Sequence, residues 1–288
     1  MILHPELKPK LRPVEPGRGA QPGTLTIGDP SRLSPNTISL TEPAFFILTL
    51  LDGEHTLTDV QQNFEQRYGQ PLAFDTLAQM VTHLEESLLL EGPGFEAHYR
   101  KLVERYRAAP ARTMNGADAL GVDGQAGDMF RDMLGDASQA DCNGRIVGLI
   151  APHLDYPRGR PCYAEAYAAL GNQPPPDRVV ILGTNHFGLG GRSSVVATGM
   201  DFATPLGTTA TDRAFLERLE ADCGDLRRYE YDHANEHSIE LQVCWLQHLF
   251  GAEAFKMVGL LCPDPCGPTG TAPQDGQGVD LGEFAAAL

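Results

Sequence analysis

Gly148–Leu149–Ile150–Ala151–Pro152–His153 is the stretch on which the reading of this chain turns: an apolar β-type run, Ile146 to Ile150, that closes on a proline and a histidine. The ending recurs in Ile181–Leu182–Gly183–Thr184–Asn185–His186, where Val179 to Leu182 is the run. In Glu236–His237–Ser238–Ile239–Glu240 a histidine instead opens an amphipathic helix. Strand ends and helix starts are where open α/β sheets collect their chemistry. Three histidines delivered this way can converge on one metal ion or one polar ligand. One such histidine alone would be an ordinary hydrogen-bonded residue.

The elements around these histidines set the fold class. A helix from about Cys162 to Leu170 and a strand from Arg178 to Leu182 follow His153. A second β segment spans Ser194 to Thr198, and Thr204–Pro205–Leu206–Gly207–Thr208 reads as a hairpin turn. Asp212 is placed to cap a helix from Arg213 to Ala221. The helix from Ser238 to Leu249 carries Ile239, Val243, Leu246 and Phe250 on one stripe, and a last strand runs from Phe255 to Leu261. Strands alternating with helices predict an α/β fold, a mixed sheet with helices on both faces.

Composition divides the chain. Residues 1–23 are rich in proline and basic residues and read as a disordered arm; residues 24–108 form one module, 109–143 a linker and 144–288 the α/β domain. In the first module Thr41–Glu42–Pro43 starts a helix at Ala44, Asp52–Gly53 ends it, Thr58 caps a helix from Asp59 to Tyr68, and a third runs from Phe74 to Glu86. With Leu88–Leu89–Leu90 as a short strand, this is a small winged-helix-like α+β module.

The 288 residues, 42% hydrophobic, suffice for two cores. Against 22 basic side chains stand 38 acidic ones, a net charge of −16. This argues against nucleic acid, which is bound by neutralising phosphates, and against an anionic membrane surface. No apolar run approaches a bilayer span, and residues 1–23 lack the apolar core of a signal peptide; a cytoplasmic protein is expected. Six cysteines in such a chain predict no disulfide framework. Cys262 and Cys266 have C-x3-C spacing but no second Cys/His pair nearby to complete a zinc site.

The segments "LTEPAFFILTLLDGEHTLTDVQQNFEQRYG" and "LAQMVTHLEESLLLEG" resemble the PqqD-like peptide-recognition module over about residues 33–92. The ordered motifs "GLIAPHLDYPRG", "VVILGTNHFG", "F.TPLGT...D" and "NEHSIELQ" resemble the Memo family, and within it the AmmeMemoRadiSam system protein B group, over about residues 145–262. That resemblance implies a fold similar to class III extradiol dioxygenases and a cleft lined by histidines. His153 and His186 then fall on metal-ligand positions and His237 on the acid/base position. It implies Fe or Cu as the ion, redox or oxygen chemistry, and a radical SAM enzyme and a peptide as partners. It also implies a further helix and a strand with a "D.CH"-like segment supplying a third, cysteine ligand. No such segment is present up to Leu288, so a shortened domain is expected.

Neutral imidazole suits Fe, Cu and Zn. His237 at a helix start would have its cationic form disfavoured by the dipole, as suits a neutral base. Asn185, Asn235 and Ser238 are candidates for orienting substrate, Glu236 or Glu240 for holding an imidazole tautomer, and Asp155 adds a carboxylate beside His153. Whether the protein is an enzyme stays open: the alternative is a non-catalytic peptide- or phosphopeptide-binding module or scaffold.

Overall fold

The computed structural model describes residues 4–8, 11–14, 23–115, 120, 125–137, 144–186, 188–189, 195–263 and 278–288. The chain divides into two compact units, Met1–Glu104 and Arg105–Leu288.

The first unit opens with an antiparallel sheet, β1 (Arg12–Pro13), β2 (Leu25–Gly28) and β3 (Thr37–Leu40), in that order. The helices α1 (Glu42–Thr49), α2 (Leu57–Tyr68) and α3 (Phe74–Glu86) follow. Val60, Phe64, Leu77, Val81 and Leu84 meet Ile27, Ile38 and Leu40 in one core. The cap of α2 is Thr56, not the expected Thr58: Thr56 Oγ1 accepts from Asp59 N at 3.1 Å and Thr56 N donates to Asp59 Oδ2 at 2.8 Å. This reciprocal pair satisfies two end donors at once, which Thr58 inside the first turn cannot do. The β layer comes chiefly from residues ahead of the helices; Leu90 contributes only a bridge to Leu7. Residues 4–8 and 11–14, read from composition as part of a disordered arm, are structured here. Lys8 is buried against Asp29, and its ammonium lies 4.2 Å from the Phe95 ring centroid. α4 (Pro93–Ala108) runs on from this unit.

The second unit is built on β5 (Arg178–Thr184), β6 (Val196–Ala197) and β9 (Lys256–Cys262), in spatial order β5-β9-β6. β5 and β9 are parallel, with Val180 opposite Val258, and β6 is antiparallel to β9. Strand alternation sends Met257 and Leu261 to one face and Val258 and Leu260 to the other. On the first face lie α5 (Gln125–Leu134), α6 (Tyr156–Ala168) and α8 (Glu240–Phe250), packed round the fully buried Trp245. On the second lie α7 (Arg213–Cys223) and α9 (Leu281–Ala287), through Leu216, Leu219 and Phe284. The mixed sheet covered on both faces is the architecture the sequence predicts. A second small sheet, β4 (Arg112–Thr113), β7 (Phe202–Thr204) and β8 (Gly207–Thr209), holds the expected hairpin turn; β4 and α5 fall in the stretch read as a linker.

One expected strand is missing. Residues 146–150 form no ladder, and Val147 and Ile150 stand 92% and 97% exposed. Across from them Leu182 on β5 is 56% exposed. An apolar run becomes a strand only where another strand supplies hydrogen-bond partners, and among the described residues none pairs with this segment. A groove of about 770 Å³ runs between this segment and β5. Among the described residues no helix is long and apolar enough to cross a membrane.

Candidate metal centre

Three loops at one end of β5 and α8 carry the histidines. His153 lies just ahead of α6, in a turn pinned twice: Gln242 Nε2 donates to the Pro152 carbonyl at 3.1 Å and Tyr163 Oη to the Leu154 carbonyl at 2.9 Å. His186 lies two residues past the end of β5. Its loop is tied down by Asp232, which accepts from Asn185 Nδ2 at 2.8 Å and Leu189 N at 2.9 Å. Gly188 permits this approach, since a Cβ there would meet the Asp232 carboxylate at 2.1 Å. His237 lies between a 3-10 turn (Glu230–Ala234) and α8. Ser238 next to it grips the end of β5, its hydroxyl donating to the Thr184 carbonyl at 3.0 Å and accepting from Thr184 N at 3.1 Å.

These loops bring His153, His186, Glu236 and His237 together, with one ligand atom of each within 4.8 Å of all the others. His153 Nε2 and His237 Nε2 are 3.1 Å apart. The ring centroids of His153 and His186 are 4.7 Å apart, and those of His186 and His237 are 5.1 Å apart. Glu236, 5% exposed, sits behind the imidazoles. Its Oε1 lies 3.0 Å from His186 Nδ1 and 3.2 Å from His237 Nδ1. The same carboxylate accepts backbone N–H bonds from His186 at 2.9 Å, His237 at 2.8 Å and Ser238 at 3.1 Å.

This fixes the tautomers. A carboxylate only accepts, so Nδ1 of His186 and of His237 carries the proton toward Glu236, and Nε2 is the nitrogen each ring would offer to a ligand. Burial raises the Glu236 pKa, but the bonds from the His237 ring, the His186 backbone and the His186 ring outweigh it and hold the carboxyl well below the usual range. The bond to Glu236 raises the His237 pKa, with burial opposing. The direction is opposite to the one a helix dipole alone would give: α8 begins only at Glu240, so the carboxylate in contact outweighs the dipole. Burial, then the nearby His186 and His237, lowers the His153 pKa.

The remaining predicted site residues have structural employment. Asp155 caps α6, accepting from Arg158 N at 3.0 Å and pairing with the Arg158 side chain. Asn185 is buried and braces the His186 loop. Asn235 closes the 3-10 turn. Glu240, 1% exposed, pairs with Arg112 Nη1 at 2.5 Å. Cys262 ends β9 outside the cluster, its thiol pushed up to about 11 by burial; Cys266 lies outside the described residues. His233 is buried with Nε2 2.9 Å from the Val196 carbonyl. His248, read as solvent-facing, packs beside Phe130 with centroids 5.5 Å apart. Sequence reasoning missed Asp232 and Arg112. Asp232 lies one residue before His233, within a polar loop where nothing marks it as a brace, and Arg112 is 124 residues from the Glu236 carbonyl it holds.

Residues 126–263, which carry all three histidines, match the family model for Memo-like protein. The chain is 41% identical over 134 residues to a MEMO1 family protein of Methanopyrus kandleri, covering 45% of this chain and 46% of that one. It is 38% identical over 112 residues to one of Saccharolobus islandicus, covering 39% of each chain. It is 26% identical over 237 residues to one of Aquifex aeolicus, covering 78% of this chain and 59% of the other. The chain thus spans about half the length of the curated relatives it matches.

Proposed function

We propose, from the Memo-like domain over residues 126–263, that the second unit binds one transition-metal ion through His153, His186 and His237, with Glu236 orienting two of the imidazoles. The observation that carries this is the 3.1 Å approach of His153 Nε2 to His237 Nε2, with Glu236 engaging the opposite nitrogens of His186 and His237. Two imidazole lone pairs facing each other repel unless a proton or a metal lies between them. Three imidazole ligands suit Fe, Cu or Zn, and three protein ligands leave positions open for water or a small molecule. A bound ion of this kind would supply Lewis-acid or redox chemistry at the mouth of the cleft. The chain's own residues do the rest: Glu236 fixes the proton on Nδ1 of His186 and His237, and Asp232 and Ser238 hold their loops in register.

Oxygen-using chemistry with Fe or Cu, a radical SAM partner and a peptide partner are finer readings supported by the sequence resemblance. Recovery of a radical SAM enzyme in a pull-down from cells making both would support the partnership; its absence would count against it.

The test of the metal reading is metal content by plasma mass spectrometry after anaerobic loading with Fe(II), Cu(II) or Zn(II). Near-stoichiometric metal is expected in the wild type. Loss of nearly all of it is expected in His153→Ala/His186→Ala, since one remaining imidazole cannot compete with solvent and buffer. Equal metal in both proteins, or none in the wild type, would sink the proposal.

A further inference from the structure

We infer that Arg112 is a positioning residue for the histidine cluster, fixing through its guanidinium the backbone from which Glu236 aims His186 and His237. The inference deepens the metal-site reading and rests on it for its consequence, though the geometry stands by itself.

Arg112 lies in β4, far in sequence from any histidine of the cluster, and is 4% exposed. Its Nε donates to the His233 carbonyl at 2.8 Å, its Nη2 donates to the Glu236 carbonyl, and its Nη1 pairs with Glu240 at 2.5 Å. The fork is anchored from behind. Arg112 N donates to the Asp201 carbonyl at 2.7 Å, and the guanidinium lies 5.3 Å from the Phe202 ring centroid. Asn115, just past β4, adds a bond from Nδ2 to the Ala234 carbonyl at 2.8 Å and one from its backbone N to Glu240 at 3.0 Å. The carbonyls of His233, Ala234 and Glu236 are therefore all taken by donors from this one short segment.

An arginine serving only as counter-ion to Glu240 would need one contact. Here two of the three go to the backbone on either side of the turn into His237. A planar, rigid fork reaches three acceptors in fixed directions, which an ammonium on a flexible stem does not reproduce. If the Glu236 carbonyl is released, the carboxylate of the same residue loses its reference frame. The imidazoles it orients then sample geometries that do not converge.

The experiment compares wild type with Arg112→Lys and with the double variant Arg112→Met/Glu240→Leu, which removes the buried pair without leaving a lone charge. Two readouts are taken: amide hydrogen exchange of metal-free protein, and Co(II) affinity by competition with a chelator. Expected in both variants are cooperative unfolding with β5 and β9 still protected, about tenfold faster exchange over residues 233–238, and Co(II) affinity weaker by about tenfold or more, as for loss of a supporting contact. Wild-type exchange over 233–238 in Arg112→Lys would overturn the inference, because charge alone would then suffice. Loss of cooperative unfolding in both variants would also overturn it, making Arg112 a residue of the fold at large. If wild type binds no Co(II), the metal reading falls, while the exchange measurement still decides the role of Arg112.

Discussion

Replacing Glu236 with alanine is expected to weaken metal binding by about 10–100-fold and to cost on the order of 3–5 kcal/mol of stability, the range for removing one partner from a buried charged network. The carboxylate accepts from three backbone N–H groups, those of His186, His237 and Ser238. It also fixes Nδ1 of two imidazoles. Alanine leaves those donors without an acceptor and frees two tautomers at once. Glu236→Gln keeps the shape but brings an amide that accepts on one side only, so an intermediate loss is expected. Urea unfolding and chelator competition on the same preparations separate the two effects. Wild-type metal affinity in a folded Glu236→Ala protein would remove Glu236 from the site.

The second large effect is on pH dependence. His233 is 1% exposed, and burial pushes its pKa down to about 3. The unfolded chain titrates near 6.5, so below that pH the unfolded state takes up a proton that the native state refuses. The stabilisation from the neutral ring is complete above about pH 6.5 and is lost as pH falls, by about 1.4 kcal/mol per unit down to the folded value. Between pH 6.5 and pH 5 this amounts to about 2 kcal/mol, ahead of the range in which ordinary carboxylates titrate. Urea unfolding at pH 7 and pH 5 should show that loss in the wild type and a difference smaller by about 2 kcal/mol in His233→Gln. Equal pH dependence in the two proteins would mean that the ring charges in place.

Much of this is legible in the amino-acid sequence. Val179 to Leu182, the stripe on α8 and the run before Pro263 announce themselves by period, and their faces follow from alternation. The three histidines stood out because each closes or opens an element, and the loops carrying them meet. Glu236 was legible as a second partner because it adjoins His237, though its simultaneous grip on the His186 loop was not. What sequence hid was of two kinds. Arg112 acts over more than a hundred residues, through backbone carbonyls that any residue type presents, so nothing in its local pattern records the partnership. Ile146 to Ile150 has the composition of a strand, yet strand formation depends on a neighbour that no local pattern supplies. The sign of the His237 shift is hidden for a related reason: a dipole argument takes the helix to start at Ser238, and α8 starts two residues later, at Glu240.

Among the described residues no strand pairs with the outer edge of β5, and this edge, with Leu182, Val147 and Ile150 beside it, also bears on how the polypeptide behaves in concentrated solution. A sheet edge with open backbone groups and apolar neighbours is sticky toward other chains, while a net charge of −16 holds the molecules apart. These opposing forces have different ranges. The repulsion is cut to about 8–10 Å by physiological salt, whereas contact adhesion is not weakened by it. Colloidal stability should therefore decline as sodium chloride is raised. The second virial coefficient, measured by static light scattering, should pass from positive toward negative, and substituting lysine at Ile150 should delay that crossing.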